Sequence, residues 1–184
     1  DSAGNVLEEN EPKSEEVINP AVCYVLTSML KSVIDSGTAV RAKVLGRPIA
    51  GKTGTTNDYV DAWFVGYSPN LVTGVWVGFD QIKTLGDKET GARAALPIWI
   101  DYSLFAENAY PPLDFLIPEG VSIVKVDAQT GLSASEYSKN FRYEYFVQGT
   151  EPKEAFDPNI HLKKEEYLYL DKDEDEDKKT EQGW

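Results

Sequence analysis

The segment Gly51-Lys52-Thr53-Gly54-Thr55 combines one lysine and two hydroxyl side chains with two glycines. Two chemistries use these residue types at this spacing. In the first, residues 46–53 (GRPIAGKT) satisfy the phosphate-loop pattern G-x-x-x-x-G-K-[ST], in which backbone amides and the lysine bind a nucleotide's phosphates. In the second, an extended strand presents Lys52 to a carboxylate or a developing anion, and the hydroxyls of Thr53 and Thr55 bind that carboxylate or relay a proton. The element that follows Lys52 distinguishes the two.

The residues that follow Lys52 predict strands and not the helix that a phosphate loop requires. A phosphate loop works because its lysine and threonine open a helix whose N-terminal amides point at the phosphates. Here two runs rich in aromatic and β-branched residues follow, at 59–67 and 71–79, and with 48–54 they predict three antiparallel strands. We therefore favour the strand interpretation and keep a nucleotide hydrolase as the weaker alternative. An edge strand protected from aggregation by a lysine is the purely structural alternative.

Two helices are predicted on either side of these strands. Asn19-Pro20 is an N-cap followed by proline at the first helical position, and apolar residues then recur at helical spacing until Gly37. Residues 90–108 predict a second helix that bends near Pro97. The predicted fold class is therefore α+β, an antiparallel sheet flanked by helices.

The rest of the chain predicts a small β-rich appendage and an acidic tail. Strands are expected at 121–126 and 143–147, after a proline-rich connection. The final stretch contains the run DKDEDEDKK and is predicted to be disordered, because it cannot bury enough apolar surface to offset chain entropy. We expect three parts, at residues 1–109, 110–158 and 159–184.

Composition and charge argue against several classes of function. The 184 residues are 41% hydrophobic and carry a formal charge of −13, which makes nucleic-acid binding a poor hypothesis. One cysteine and one histidine argue against a disulfide, a metal site and a histidine-based triad, so no cofactor is expected. No apolar run approaches the roughly 18 residues of a membrane span. Because the chain begins at Asp1 without a methionine, we expect it to be part of a longer protein.

Three longer segments give the chain a specific resemblance to a known family. They are GRPIAGKTGTTNDYVDAWFVGYSPNLVTGVWVGFD at 46–80, ETGARAALPIW at 89–99 and YEYFVQGTEP at 143–152. Together they resemble the end of the transpeptidase domain of class A penicillin-binding proteins, particularly the 1A group, from about Val6 to Pro152. Lys-Thr-Gly is the third signature of such serine acyl-transferring proteins.

The resemblance implies the sheet-centred half of the penicillin-recognising fold and a role in peptidoglycan D,D-transpeptidation. In that family a serine attacks the D-Ala-D-Ala end of a stem peptide, expels the last D-alanine and passes the acyl group to an amine of a neighbouring strand. By resemblance, Lys52 and Thr53 are catalytic, Lys52 through its charge and the proton network. Thr53, Gly54 and Thr55 bind substrate.

The implied partners are the stem peptide, β-lactams for the intact protein, and the upstream half of the same protein. The implied parent is a bifunctional glycosyltransferase and transpeptidase on the extracytoplasmic side of the bacterial cytoplasmic membrane, anchored through its N-terminal segment. A non-catalytic module that binds or interacts with peptides is the alternative from a different class.

The other two family signatures occur as short patterns in the wrong order. S-x-x-K fits Ser28-Met29-Leu30-Lys31, and S-x-N fits Ser68-Pro69-Asn70 and Ser138-Lys139-Asn140. In the family both signatures precede Lys-Thr-Gly over a long stretch, whereas both S-x-N matches follow Lys52 and Ser28 lies only 24 residues before it (52 − 28). We predict that all three are chance matches, that the nucleophile lies upstream of Asp1, and that this chain alone is inactive.

Several further residues have structural interpretations. Cys23 is expected to be a small packing residue of the first helix. Asp58 and Asp61 are expected to serve turn and strand-end chemistry and not a metal or an acid–base pair. His161 is expected to be exposed. The tryptophans at positions 63, 76 and 99 are expected in the core.

Overall fold

The computed structural model describes residues 1–9 and 15–161. Both the helices and the antiparallel sheets of the predicted α+β class are present. The tail that was predicted to be disordered lies outside the described residues, apart from its first three positions. The main elements are α1 (Pro20–Asp35), β1 (Ala50–Thr55), β2 (Ala62–Tyr67), β3 (Val72–Val77), α2 (Leu96–Ala106), β4 (Val121–Asp127), β5 (Phe141–Val147) and α3 (Pro158–His161).

Helix α1 begins and ends where the sequence predicts. The side-chain oxygen of Asn19 accepts a hydrogen bond from the backbone N–H of Ala21 at 2.8 Å, and Pro20 occupies the first turn. After Asp35 the chain turns back so closely that a Cβ on Gly37 would lie 2.8 Å from the Cα of Val33. A short 3-10 helix (Val40–Leu45) then leads towards β1.

The first sheet has the order β1-β2-β3, and all neighbours are antiparallel. Cross-strand partners include Lys52 with Val65 and Thr53 with Phe64. The three predicted strands are confirmed, but each is shorter than predicted. In particular, β2 starts at Ala62 because a 3-10 turn (Asn57–Tyr59) separates it from β1. Among the described residues, β1 forms one edge of this sheet.

One face of this sheet carries the core. The ring of Phe64 lies edge-on to that of Trp99 of α2, with centroids 4.9 Å apart, and both side chains are essentially excluded from solvent. The indole N–H of Trp99 donates to the carbonyl of Thr73 at 3.0 Å, so its polar atom is satisfied. Burying two large aromatic side chains contributes several kcal/mol, on the order of 2–3 for each. The predicted core position of Trp99 is confirmed.

The other two tryptophans are not core residues, so that prediction was wrong. Trp63 and Trp76 are each 44% exposed. They are cross-strand partners with ring centroids 6.3 Å apart, on the opposite face of the sheet from Phe64. Strand alternation explains the difference, because neighbouring residues of one strand point to opposite faces. The indole N–H of Trp76 donates to Asp61 at 2.9 Å.

The predicted bend in the second helix is a change of helix type. Residues Gly91–Ala95 form one π-helical turn, and α2 starts directly after it at Leu96. Pro97 therefore lies in the first turn of α2, where its missing N–H breaks no hydrogen bond of the helix. The irregularity lies before the proline and not at it.

Strands β4 and β5 form a second, two-stranded antiparallel sheet. It packs against α1, where the ring of Tyr24 lies edge-on to that of Tyr145 with centroids 5.1 Å apart. Burial, a hydrogen bond with Tyr145 and nearby negative charge raise the pKa of Tyr24 to about 12. Helix α1 therefore lies between the two sheets and contacts both.

Two single-residue predictions were wrong. Cys23 is exposed, because it lies on the side of α1 away from Ala21 and Tyr24, which face the protein. His161 is half-buried, with its ring against Phe156 and its Nε2 atom 3.3 Å from a carboxylate oxygen of Glu154. Across residues 1–9 and 15–161, no helix is long and apolar enough to cross a membrane.

Candidate functional site

The four predicted site residues all lie on β1, at the edge of the first sheet. Side chains alternate along a strand, so Lys52 projects from one face while Thr53 and Thr55 project from the other. Both sets therefore flank the open edge, where an extended ligand would lie. The ammonium of Lys52 is exposed and donates to the carbonyl of Thr53 at 2.8 Å, which leaves two of its three N–H donors for a ligand.

Thr53 is held from the turn that follows α1. Its hydroxyl lies 2.9 Å from the hydroxyl of Thr38, and either oxygen can be the donor. Thr38 follows Gly37, whose close approach to Val33 fixes the path of the turn. The backbone N–H of Ala39 then donates to the carbonyl of Val33 at 3.1 Å. The partner of Thr53 thus sits on an anchored segment.

Thr55 is held by the π-helical turn that precedes α2. Its hydroxyl oxygen accepts a hydrogen bond from the backbone N–H of Gly91 at 3.0 Å. A Cβ on Gly91 would lie 2.3 Å from the carbonyl oxygen of Trp63 and 2.6 Å from that of Gly54, so only glycine fits there. The close approach brings the start of the π-helical turn directly onto the end of β1.

The two predicted turn aspartates lie just beyond the site strand. Asp61 accepts the indole N–H of Trp76, and its backbone N–H donates to the hydroxyl of Thr56 at 2.8 Å. Asp58 has a φ of 58°, a left-handed conformation that aspartate adopts more readily than most residues. The predicted turn and strand-end roles are confirmed. Within the part of the chain that the structure describes, no three potential metal ligands cluster.

The serines of the three short signature matches form local hydrogen bonds. The hydroxyl of Ser28 donates to the carbonyl of Val25 at 2.9 Å, and Lys31 forms an ion pair with Asp114 at 3.3 Å. The hydroxyl of Ser68 is buried and accepts from the N–H groups of Asn70 and Leu71 in a turn. The hydroxyl of Ser138 accepts from the N–H of Ser135. Each of these hydroxyls therefore forms a hydrogen bond within its own helix or turn.

Comparison with known proteins identifies the family. Residues 5–98 match the family model of the penicillin binding protein transpeptidase domain, which is about half of the chain, and residues 117–159 match that of the penicillin-binding protein 1A C-terminal domain. The chain belongs to the penicillin-binding protein transpeptidase family. The resemblance drawn from the sequence is confirmed.

Curated relatives agree with this assignment. The chain is 49% identical over 152 residues to penicillin-binding protein 1A of Aquifex aeolicus, an alignment that covers 83% of this chain and 21% of the relative. It is 45% identical over 140 residues to penicillin-binding protein 1A of Pseudomonas aeruginosa, covering 76% and 17%. The chain therefore spans about a fifth of the length of these relatives.

A solved structure shows the same fold. The crystal structure of penicillin-binding protein 1A from Haemophilus influenzae aligns with a TM-score of 0.70 and 35% sequence identity. The alignment covers 76% of this chain and 22% of that one. At this identity and score, the similarity confirms the predicted portion of a penicillin-binding transpeptidase fold.

Sequence reasoning found the strand but missed the two residues that hold its hydroxyls. Thr38 and Gly91 lie 15 and 36 positions from their respective partners Thr53 and Thr55. Thr38 had no signal beyond its place directly after the glycine that ends α1. Gly91 had a weak signal, as a glycine at the start of a predicted helix, where it lowers helix propensity unless close packing requires it.

Proposed function

We propose that this chain forms one wall of a peptidoglycan D,D-transpeptidase in a class A penicillin-binding protein. The reaction is acyl transfer from a stem peptide ending in D-Ala-D-Ala, through a serine ester, to an amine of a neighbouring strand. The observation that supports it most strongly is the exposed sheet edge with Lys52 on one face and the two held hydroxyls, Thr53 and Thr55, on the other. Family membership selects this chemistry among those that such an edge permits.

In this proposal Lys52 acts on charge that develops during the reaction. When a serine oxygen attacks the carbonyl carbon, the C–N bond to the last D-alanine breaks and a proton must reach the departing nitrogen. An ammonium at the cleft wall stabilises the developing negative charge and takes part in the proton network. Main-chain groups of the open β1 edge are available to align the extended peptide, as in strand addition.

The attacking serine is proposed to come from the rest of the penicillin-binding protein. The serines of the three signature patterns in this chain are Ser28, Ser68 and Ser138, and each is bound within its own helix or turn. Lys31, the lysine of the S-x-x-K match, is paired with Asp114, which argues against a role as base for Ser28. We therefore propose that the isolated chain forms no acyl-enzyme.

The proposal extends to the organisation of the whole protein. Residues 1–109 are proposed to complete the transpeptidase domain, and residues 110–158 to form a β-rich extension that packs on it. The proposed location is the extracytoplasmic side of the bacterial cytoplasmic membrane, in a glycosyltransferase and transpeptidase. Stem peptides and β-lactams are its proposed ligands.

Labelled penicillin tests the proposal directly. The full-length penicillin-binding protein that contains this chain is expected to form a one-to-one adduct, and the isolated chain to form none. Lys52→Ala is expected to slow acylation of the full-length protein by about 10²–10³-fold, the usual effect of removing one group that stabilises developing charge. Intact-mass analysis and gel fluorescence measure both results.

The matched control is Lys31→Ala, which removes a lysine that is bound to Asp114 outside the site strand. It is expected to leave the acylation rate within about threefold of the parent. An adduct on the isolated chain that disappears with Ser28→Ala would contradict the proposal. Failure of the full-length protein to react would favour the alternative of a non-catalytic peptide-binding module.

A further inference from the structure

Thr38 stands outside the family signature, yet its hydroxyl touches the signature threonine. We propose that Thr38 is a positioning residue, which donates its hydroxyl hydrogen to Thr53 and thereby leaves the hydrogen of Thr53 for a ligand carboxylate. This inference rests on the proposed function, because the carboxylate is that of a peptide C-terminus or of a β-lactam in the same cleft.

Hydrogen counting gives Thr38 this direction of donation. Each threonine hydroxyl carries one hydrogen, so only one member of the Thr38 and Thr53 pair donates to the other. A carboxylate can only accept. When it binds Thr53, that hydroxyl must donate to the ligand, and Thr38 becomes the donor behind it. The resulting chain of two O–H groups ending on an anion strengthens the final bond, because hydrogen bonds in series polarise one another.

The environment of Thr55 provides an internal comparison. Its hydroxyl accepts from the backbone N–H of Gly91, and a backbone N–H can only donate. The hydrogen of Thr55 is therefore already available for a ligand. Thr53 reaches the same state only through Thr38. Because Thr53 and Thr55 are two residues apart on one strand, both hydroxyls then present hydrogens from the same face of β1.

The backbone around Thr38 is suited to hold a hydroxyl in place. Ala39 is completely buried, and its N–H is bound to the carbonyl of Val33. Gly37 permits the close return of the chain over α1. Thr38 itself is exposed, so its methyl group contributes little to the core, and the observed contact of its side chain is the bond to Thr53. These contacts argue for a role at the cleft and not in packing.

The test compares two substrates in the full-length protein. Acylation rates are measured with a penicillin that carries its free carboxylate and with the methyl ester of the same penicillin, for the parent and for Thr38→Val. Valine keeps the shape of threonine and removes the hydroxyl. We expect Thr38→Val to slow acylation by the free penicillin about three- to tenfold, a loss typical of one net hydrogen bond, and to leave the ester rate unchanged.

Two further variants separate positioning from structure. Thr38→Ser restores the hydroxyl and is expected to return the free-penicillin rate to within about twofold of the parent. Thr27→Val is the matched control, since it removes another hydroxyl pair, between Thr27 of α1 and Tyr67 of β2 at 3.0 Å, in which neither residue belongs to β1. It is expected to change neither rate. Combining Thr38→Val with Thr53→Val is expected to be less than additive.

Each outcome decides between the alternatives. Equal slowing of the free penicillin and the ester would assign Thr38 a structural role and overturn the inference. Unchanged rates for Thr38→Val would overturn it as well, while leaving the proposed function intact. An unmodified full-length protein that no penicillin acylates would instead overturn the proposed function and this inference with it.

Discussion

The two sheets of this chain are held by different forces. The site-bearing sheet β1-β2-β3 packs apolar side chains of one face, such as Phe64, against Trp99 of α2. In the strands of the sheet β4-β5 one apolar side chain, that of Val126, is fully buried, and carboxylates and hydroxyls form hydrogen bonds in and next to the strands. The hydroxyl of Ser122, for example, donates to Glu151. The stability that apolar packing contributes does not depend on pH, whereas the stability contributed by ionised hydrogen-bond acceptors does.

Asp127 is the clearest example of an ionised side chain that stabilises the second sheet through hydrogen bonds. This buried carboxylate, at the end of β4, accepts hydrogen bonds from the N–H groups of Gln129 and Thr130 at 3.1 and 2.9 Å, and from the hydroxyl of Thr130 at 2.9 Å. Burial opposes ionisation of Asp127, but these bonds and one from Ser138 outweigh it and hold its pKa below the ordinary 3.8. The candidate site is therefore built on the part of the chain whose core does not depend on pH.

The largest expected effect comes from removing the core of the first sheet. Phe64→Ala deletes a fully buried ring and is expected to lower the free energy of unfolding by about 3–5 kcal/mol. Urea denaturation followed by tryptophan fluorescence measures the loss. Amide hydrogen exchange then shows whether β4-β5 keeps its protection while β2 loses it. Loss of protection in both sheets would show that they unfold as one unit. It would contradict the view that the two sheets are stabilised independently by different forces.

The control for this prediction is Phe105→Ala on α2. That ring is 81% exposed, so its removal is expected to change the free energy of unfolding by less than about 0.5 kcal/mol.

A smaller effect is expected where the π-helical turn meets β1. Gly91→Ala places a Cβ against two backbone carbonyls, which cannot move as a flexible side chain could, and is expected to cost about 1–3 kcal/mol. Gly74→Ala, on the same sheet, meets only a side-chain methyl of Val65 at 3.7 Å and is the matched control. Melting temperatures of the two variants give the comparison. Equal melting temperatures would show that the close contact of Gly91 with the backbone of β1 and β2 does not require a glycine.

The smallest expected effect tests the polar sheet through pH. Asp127→Asn keeps the shape of the side chain and removes its charge, and is expected to cost about 1 kcal/mol at pH 7. Because the folded pKa of Asp127 is lowered, its ionised form contributes stability above about pH 4, and that stability is lost as pH falls through the folded pKa. Urea unfolding at pH 7 and pH 3 should therefore show a difference between variant and parent that shrinks at the lower pH.

Asp101→Asn, an exposed residue of α2, is the control for charge removal and is expected to change stability by less than about 0.5 kcal/mol at either pH. A difference for Asp127→Asn that stays constant between pH 7 and pH 3 would contradict the assignment of charge-assisted bonds.

Local signals explain which parts of the fold were predictable. Helix α1 follows from the N-cap Asn19, the proline after it and the stop at Gly37. The strands follow from aromatic and β-branched runs, and Lys52 lies on a strand as predicted. The sequence did not reveal which face of each helix or strand packs against the core. Trp63 and Trp99 look alike in sequence, but of the two only Trp99 lies in the core, because the packing of α2 on the sheet brings it against Phe64 of β2.

The site shows the same limit. The sequence placed the four predicted site residues on one strand, whereas the support of Thr53 by Thr38 and of Thr55 by Gly91 joins segments far apart in the chain. No short pattern encodes such contacts, because they depend on how the turn after α1 and the π-helical turn are brought to β1. The sequence therefore identifies the motif, and the structure is needed to identify the distant residues that form hydrogen bonds with it.

The bond between Arg47 and Glu107 has a consequence for biosynthesis. Arg47, just before β1, donates to the carboxylate and to the backbone carbonyl of Glu107, at the end of α2 and 60 residues further along the chain. Both side chains are largely buried in the ion pair, which cannot form until Glu107 has been synthesised. At about 5–20 residues per second, the ribosome imposes a wait of roughly 3–12 s. During that interval β1 is part of a nascent chain in which the ion pair between Arg47 and Glu107 has not yet formed.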